Sequence, residues 1–105
     1  MRKAKVYVNG HAAGVLSELE KGKNYELRYD ATYEGPSISL RLPVSKKIFT
    51  FKEFPPFFDG LLPEGAQLEA LLRKRKIDAK DYFQQLLVVG ADMVGAVSVG
   101  EAEDD

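Results

Sequence analysis

Several side chains of this sequence could do acid–base or nucleophilic chemistry, but their spacing does not assemble a catalytic site. His11 is the only histidine, and it follows an Asn-Gly pair typical of a solvent-exposed turn, with no acidic or nucleophilic partner placed beside it. No serine stands in the G-x-S-x-G elbow that exposes a nucleophile in α/β-hydrolases. Asp59, Glu64 and Asp92 could form a carboxylate cluster, but they lie in segments rich in glycine and proline, where carboxylates commonly cap backbone amides. The pattern predicts no enzyme, no metal site and no cofactor.

Phosphate-binding signatures are missing as well, since neither G-x-x-x-x-G-K-[ST] nor G-x-G-x-x-G occurs. The basic cluster "RKRK", residues 73 to 76, could contact phosphates as a local patch. It also lies at the expected end of a helix, where the carbonyl dipoles stabilise cations by roughly 0.3 to 1 kcal/mol each. With 15 basic and 16 acidic residues the net charge is −1, so no overall field attracts nucleic acid or an anionic membrane.

Length and composition predict one compact domain. A chain of 105 residues with 45% hydrophobic and 30% charged residues is ordinary for a globular protein with a single core. It contains no cysteine, which excludes disulfides and cysteine-based zinc or redox sites. The first residues, "MRKAKVYVNG", lack the apolar run of a signal peptide, so we expect a cytoplasmic protein.

Two-residue alternation of apolar side chains dominates the first half of the chain. Tyr25, Leu27 and Tyr29, for example, alternate with charged residues, as in a strand with one buried face. Turn residues separate three such segments, which predicts an antiparallel meander at about residues 3 to 9, 12 to 18 and 24 to 31. Further strands are predicted at residues 37 to 42, ended by Pro43, and at residues 46 to 51.

A helical period replaces this alternation after Pro63, which is expected at the first helical position. Leucines at the i, i+3, i+4 spacing predict one buried stripe, formed by Leu68, Leu71 and Leu72. A second helix is predicted to begin at Asp78, whose carboxylate would cap it, while Asp81 adds negative charge to its first turn. Its apolar side is formed by Phe83, Leu86 and Leu87.

The order of these elements predicts the fold class. After the second helix, Gly90 is a plausible terminator, and "MVGAVSV", residues 93 to 99, predicts a last short strand. The class is α+β: a small antiparallel sheet or barrel of about five to six strands, with two helices after residue 60. Residues 1 to 100 would form the domain, and residues 101 to 105, "EAEDD", an acidic tail that is expected to be frayed.

Five segments resemble one known family, in the same order and at similar spacings. They are "VNGHAAGVL", "YELRYD", "PSISLRLP", "FFDGLLPEG" and "LLVVGADMVGAVSV", between about residues 4 and 99. Together they resemble the N-terminal subdomain of the HipA family of serine/threonine kinase toxins. The nucleotide-binding lobe and the catalytic and metal-binding acids of that family would lie downstream of this subdomain. The resemblance therefore implies the fold of the subdomain without the catalytic machinery.

A chain that begins with Met, covers this subdomain and stops in an acidic tail is similar to HipS, the small component of three-component HipBST toxin–antitoxin systems. The resemblance implies that the chain binds and neutralises a HipT-like kinase that lacks this subdomain. A HipB-like helix-turn-helix DNA-binding protein would be reached through the complex. No direct contact with nucleic acid and no membrane partner is expected.

The expected contact surface is the segment "FFDGLLPEG" and the helix after it. Phe57, Phe58, Leu61 and Leu62 cannot all point the same way, so some should be buried and others should approach a partner. The predicted partner-binding residues are Phe58, Asp59, Leu62, Pro63, Glu64, Gly65, Ala66, Gln67, Glu69 and Arg73. The chain has no tryptophan and carries Ala66 just after the motif, which favours steric cover or altered lobe geometry over a single side chain that plugs the kinase.

Two other functions are compatible with the same residues. A non-catalytic subunit that completes or activates a HipA-like kinase, and helps to assemble it with its DNA-binding partner, would share every feature, and only the sign of the effect on kinase activity would differ. A small nucleic-acid-binding barrel could use "RKRK" and the tyrosine-bearing strands, although the near-neutral charge counts against it.

Overall fold

The computed structural model describes residues 1–90 and 95–102. Within these residues, five strands form one antiparallel sheet in the order β4-β3-β2-β1-β5. The strands are β1 (Arg2–Val8), β2 (His11–Glu20), β3 (Lys23–Tyr29), β4 (Ile48–Phe51) and β5 (Val97–Ala102). The helices are α1 (Pro56–Asp59), α2 (Gly65–Arg75) and α3 (Tyr82–Val89). The predicted α+β class is confirmed, as an open sheet with β4 and β5 at its edges.

The predicted meander is confirmed, and its alternation places one row of side chains in the core. Val6 of β1 pairs with Val99 of β5, and Leu16 of β2 pairs with Leu27 of β3. All four side chains are almost completely buried on one face of the sheet. Phe49 and Phe51 of β4 pack against the same core from the edge. The other face carries charged side chains such as those of Lys5 and Arg28, which flank Val15 on the strand between them, and this division of faces is typical of a half-covered antiparallel sheet.

The predicted strand at residues 37 to 42 is wrong. Among the described residues, its only ladder pairing is an isolated bridge between Ser39 and Leu42. The Tyr29 hydroxyl accepts a hydrogen bond from the backbone N–H of Ile38 at 2.9 Å and donates to the carbonyl of Leu42. Because a side chain satisfies the backbone groups that a strand would offer to a neighbour, this segment folds as a braced loop.

The helix starts differ from the predicted ones. α1 is a short additional helix with Pro55 as its N-cap. α2 begins at Gly65, so Pro63 lies before the helix and not at its first position. α3 begins at Tyr82, and its cap is Asp81, whose carboxylate accepts from Gln84 N at 3.2 Å. Asp78 instead closes a preceding turn, where its carboxylate accepts from Lys80 N at 2.8 Å.

α3 is held to the sheet at both of its ends. At its C-terminus, a Cβ on Gly90 would lie 2.3 Å from the Val99 carbonyl oxygen, so only glycine allows this close approach to β5. At its N-terminus, Arg2 of β1 pairs with both Glu18 and Asp81. This attachment places α3 across the core face of the sheet, with Phe83 and Leu86 completely buried.

β5 continues to Ala102, so Glu101 and Ala102 are paired with β1. The start of the predicted last strand, Met93 and Val94, lies outside the described residues, as do residues 103–105 of the acidic segment. Among the described residues, no helix is both long enough and apolar enough to cross a membrane.

Candidate partner-binding surface

The segment Phe57 to Leu62 turns the chain from α1 towards α2. Phe58 is completely buried and Leu62 nearly so, whereas Phe57 and Leu61 are half-buried and pack against the edge of the core. Backbone bonds brace the turn, from the Leu61 N–H to the Phe58 carbonyl at 3.0 Å and from the Leu62 N–H to the Asp59 carbonyl at 3.2 Å. The expected division between buried and outward apolar side chains is therefore present, and it fixes the corner to the core.

The corner ends at Glu64 and Gly65, where the backbone changes direction abruptly. Glu64 is extended, with φ −129° and ψ 164°, and Gly65 follows with φ +58°. A Cβ on Gly65 would meet no atom within 4 Å, so glycine is favoured there by the positive φ and not by lack of space. Glu64 is the N-cap residue of α2, but its side chain makes no capping hydrogen bond, contrary to the capping role expected for it.

We predict that Gly65→Ala lowers the free energy of unfolding by about 1 kcal/mol, because an alanine is strained at this positive φ. Gly60→Ala is the matched control, since Gly60 has φ −64° and ψ −16° and its Cβ would make only ordinary contacts, the nearest at 3.5 Å. That change should stay within about 0.5 kcal/mol of the parent protein. Urea denaturation followed by circular dichroism measures both, and equal losses would contradict the role assigned to the Gly65 backbone.

α2 does not bury the apolar stripe that its sequence predicts. The helix contains no buried residue, and Leu68, Leu71 and Leu72 are all half-buried and outside the core cluster. The prediction of a buried stripe is wrong because side chains of α1 and α3, among them Phe58 and Phe83, already cover the core face of the sheet. The leucine stripe is consequently an apolar surface of α2 that the rest of the domain covers only in part.

A groove of about 860 Å³ runs between the corner, α2 and the end of α3. Its apolar lining includes Leu61, Leu71 and Val88. Glu64 lines the groove at the start of α2, and Lys74 and Arg75 line it at the last turn of the helix. Neither cation forms an ion pair with any residue that the structure describes. The groove therefore combines apolar walls with a carboxylate near one end of α2 and two exposed cations near the other.

The structure divides the predicted partner-binding residues into three groups. Leu62, Pro63, Glu64 and Gln67 line the groove. Exposed positions that do not line it are Asp59, Gly65, Ala66, Glu69 and Arg73. Phe58 is completely buried, so the expectation that it contacts a partner directly is wrong, and it supports the corner from beneath.

Other lining residues were not predicted. On α2, Leu71 follows Gln67 by four residues and Lys74 follows Leu71 by three, which is the spacing of one helix face and could have identified that face from the sequence alone. Val88 and Val89 could not have been found in this way, because they approach α2 only when α3 folds back over the sheet.

Residues that could do other chemistry remain apart. His11 is exposed at the first position of β2, and the described residues contain no group of three His, Asp or Glu side chains that could hold a metal ion. Asp92 lies outside the described residues, so the carboxylate cluster considered for it is not described.

Comparison with known proteins assigns the family. The sequence model described as "HipA N-terminal domain" matches residues 4–100. The chain belongs to the HipA N-terminal domain family. A solved structure of the "N-terminal domain of HipA toxin" superposes with a TM-score of 0.77 at 28% identity, covering 100% of this chain and 96% of the other. The HipA-like fold expected from the five sequence segments is thus confirmed.

Two curated relatives show the domain in different settings. An uncharacterized protein of Haemophilus influenzae is 33% identical over 101 residues, which are 96% of this chain and 93% of the relative. The protein named "Putative kinase Y4dM" of Sinorhizobium fredii is 30% identical over 109 residues, which cover 95% of this chain but only 27% of the relative. The family domain therefore makes up nearly all of one protein and about a quarter of another.

Proposed function

We propose that this HipA-type domain binds a HipA-like serine/threonine kinase that lacks an N-terminal domain of its own, and inhibits it. In this proposal the chain is the antitoxin of a three-component toxin–antitoxin system, with a HipB-like DNA-binding protein as the third component of the complex. The domain itself contributes a binding surface and no catalytic group.

The two settings of the family support a role in trans. The domain occurs in a relative whose name denotes a kinase and also as nearly the whole of the short Haemophilus relative. In this proposal, a separate copy of the domain would use the surface with which a fused copy packs on the rest of the longer protein. Such a copy is suited to bind a related kinase.

The observation that carries the proposal is the half-buried leucine stripe of α2 beside the groove. A helix of 11 residues with no buried side chain gains little from its own fold, because helices of this length depend on packing of an apolar face. The corner holds this helix in place through the Gly65 backbone and the buried Phe58. A partner that covers Leu68, Leu71 and Leu72 would complete the packing.

The side chains at the corner favour steric or geometric inhibition. Ala66 is exposed at the first turn of α2 and is too small to fill a kinase cleft. The polar rim formed by Glu64 and Gln67 next to apolar walls resembles the composition of protein interfaces, where apolar anchors are surrounded by polar groups. The domain would therefore act by holding the kinase lobes in an inactive arrangement or by covering the active site.

The proposal is tested with a purified HipA-like kinase from the same genome that lacks an N-terminal domain. Its autophosphorylation rate is measured while the concentration of this chain is raised. A rate that falls to the background at a stoichiometric amount supports an antitoxin. A rate that rises would assign the chain as an activating subunit, and an unchanged rate without complex formation in gel filtration would refute both roles.

A double substitution on the groove locates the contact. Glu64→Arg with Gln67→Arg should weaken kinase binding by about tenfold or more, because two long cations would enter the polar rim. The matched control is Thr50→Arg with Glu53→Arg, which also exchanges one neutral residue and one glutamate at exposed positions, within and after β4. Isothermal titration calorimetry measures both affinities. Equal affinities for the two variants would place the contact elsewhere on the domain.

A further inference from the structure

The loop between β3 and β4 presents a leucine entirely to solvent. Leu40 has 100% of its surface exposed, whereas the other exposed leucine, Leu19, is 43% exposed among the described residues. Single apolar side chains on a surface are common, but most of them lie partly against the protein. Leu40 touches so little of its own domain that its packing cannot explain its position.

The backbone on both sides of Leu40 is fixed. Ile38 and Leu42 are 5% and 6% exposed, so the residues two positions away in each direction are anchored in the core. The Tyr29 hydroxyl binds the backbone of both, accepting from the Ile38 N–H at 2.9 Å and donating to the Leu42 carbonyl. The Leu42 N–H also donates to the Ser39 carbonyl at 2.9 Å, which closes a tight turn around Leu40.

A serine hydrogen bond and a neighbouring aromatic ring brace the same loop. The Val44 N–H donates to the Ser37 hydroxyl oxygen at 3.0 Å. Tyr33, from the same connection, stacks on Tyr29 with ring centroids 6.1 Å apart and planes 10° apart. A side chain presented by a rigid turn loses less conformational entropy on binding than one on a mobile loop. Leu40 is therefore pre-organised to enter an apolar pocket of another protein.

The exposed Arg41 beside Leu40 indicates the charge that a partner would need at the edge of such a pocket. Its side chain is exposed directly after Leu40 and forms no ion pair with any residue in 1–90 or 95–102. A guanidinium in this position is complementary to a carboxylate and is well suited to bind it in a bidentate manner. The matching surface is an apolar pocket of leucine size with an Asp or Glu at its rim.

The loop and the corner belong to the same side of the domain. Ile38 and Leu42 share one core cluster with Phe58 and Leu62, so both segments cover the same face of the sheet. A partner large enough to cover this layer from α2 onwards would meet both segments. We propose that Leu40 and Arg41 form a second anchor for the kinase, with Leu40 in an apolar pocket and Arg41 on a carboxylate at its edge, an inference that rests on the proposed function.

The test uses the same purified kinase without an N-terminal domain. Leu40→Ser should weaken its affinity about tenfold or more, as expected for an interface anchor. Arg41→Glu should weaken it to a similar degree and reduce its dependence on salt concentration. Leu19→Ser is the matched control, since it also removes an exposed leucine, from the end of β2, and it should change the affinity less than about twofold. Thermal melting of Leu40→Ser should match the parent protein.

The outcomes separate this inference from the function on which it rests. If Leu40→Ser binds as tightly as the parent while the Glu64→Arg, Gln67→Arg variant does not, the second anchor is refuted and the kinase-binding function stands. If the parent protein does not bind the kinase at all, both are refuted. If Leu40→Ser dissociates a dimer of this chain in sedimentation without changing kinase affinity, Leu40 serves self-association, and the inference is also refuted.

Discussion

Replacing Arg2 by methionine is expected to lower the free energy of unfolding by about 3 kcal/mol, because the change leaves a buried carboxylate without its countercharge. Glu18 is only 4% exposed, and the Arg2 guanidinium contacts both of its oxygens, with Nε to Oε1 at 2.7 Å and Nη2 to Oε2 at 2.8 Å. Without Arg2, the donors left to Glu18 in the described part of the chain are the Gly22 N–H at 3.2 Å and the Tyr25 hydroxyl at 3.4 Å. Two weaker neutral donors cannot replace the guanidinium.

The same guanidinium attaches α3 to the sheet. It donates to Asp81 with Nη2 to Oδ1 at 2.9 Å and Nη1 to Oδ2 at 3.1 Å, and it lies 5.2 Å from the centre of the Phe83 ring. Arg2 and Asp81 are partly exposed, so solvent screens the ion pair between them. For this reason we place the loss of unfolding free energy in Arg2→Met at the lower end of the range for buried ion pairs. Methionine keeps an unbranched apolar side chain at this position but removes the charge and the donors of the guanidinium that lies over Phe83.

Two variants separate this explanation from a general packing defect. Adding Glu18→Gln to Arg2→Met should recover more than half of the lost stability, because an uncharged amide no longer requires a countercharge. Lys23→Met breaks an exposed pair with Glu20, in which the side chains are 65% and 56% exposed, and should cost no more than about 0.5 kcal/mol. Urea denaturation at pH 7 measures all three, and a double variant no more stable than Arg2→Met would contradict the role of the buried charge.

The acid dependence of stability provides a second readout. Burial raises the pKa of the Asp81 carboxyl, but its hydrogen bonds to Arg2 and to the Gln84 N–H outweigh burial and hold the pKa below its usual range. A lowered carboxyl pKa in the folded state stabilises the protein at neutral pH, and this stabilisation is lost as pH falls below about 4. The parent protein should therefore lose more stability between pH 5 and pH 3 than Arg2→Met does.

The sheet and the position of the core were predictable from the sequence because they depend on local alternation. The three-strand meander, the β4 residues Phe49 and Phe51, and the apolar side of α3 all follow from periods that are visible in short windows. The strand predicted at residues 37 to 42 would place Ile38, Leu40 and Leu42 on one buried face, but Leu40 is fully exposed whereas Ile38 and Leu42 are buried. It failed as a strand because the Tyr29 hydroxyl, a contact from outside the segment, satisfies its backbone.

The candidate surface was only partly predictable, since it depends on how helices are arranged in space. The spacing of Leu68, Leu71 and Leu72 indicates an apolar face but cannot show that α1 and α3 take the place on the sheet that this face would otherwise occupy. Similarly, the groove joins α2 to Val88 and Val89, more than ten residues further along the chain. The segment "FFDGLLPEG" indicated where to look for the candidate surface, but tertiary packing determines which of its side chains face outward.

Phe58→Ala should cost about 3 to 5 kcal/mol of unfolding free energy, the usual loss for a completely buried phenylalanine. Phe58 is the anchor of the corner: its ring packs edge-on against Phe57 with centroids 5.2 Å apart. Phe57→Ala is the matched control in the same turn, and because Phe57 is only half-buried it should cost about half as much. Chemical denaturation of the two variants gives the comparison.

The same pair of variants tests how the corner contributes to binding. Because Phe58 has no exposed surface, it cannot contact a kinase, and any loss of affinity in Phe58→Ala must arise from displacement of the corner and α2. Addition of the kinase should then raise the melting temperature of Phe58→Ala, since a ligand that binds only the folded state shifts the folding equilibrium. Phe57 contributes exposed surface at the corner, so Phe57→Ala should weaken binding at temperatures where the domain is fully folded. Full affinity of Phe57→Ala at such temperatures would confine the contact to the α2 side of the groove.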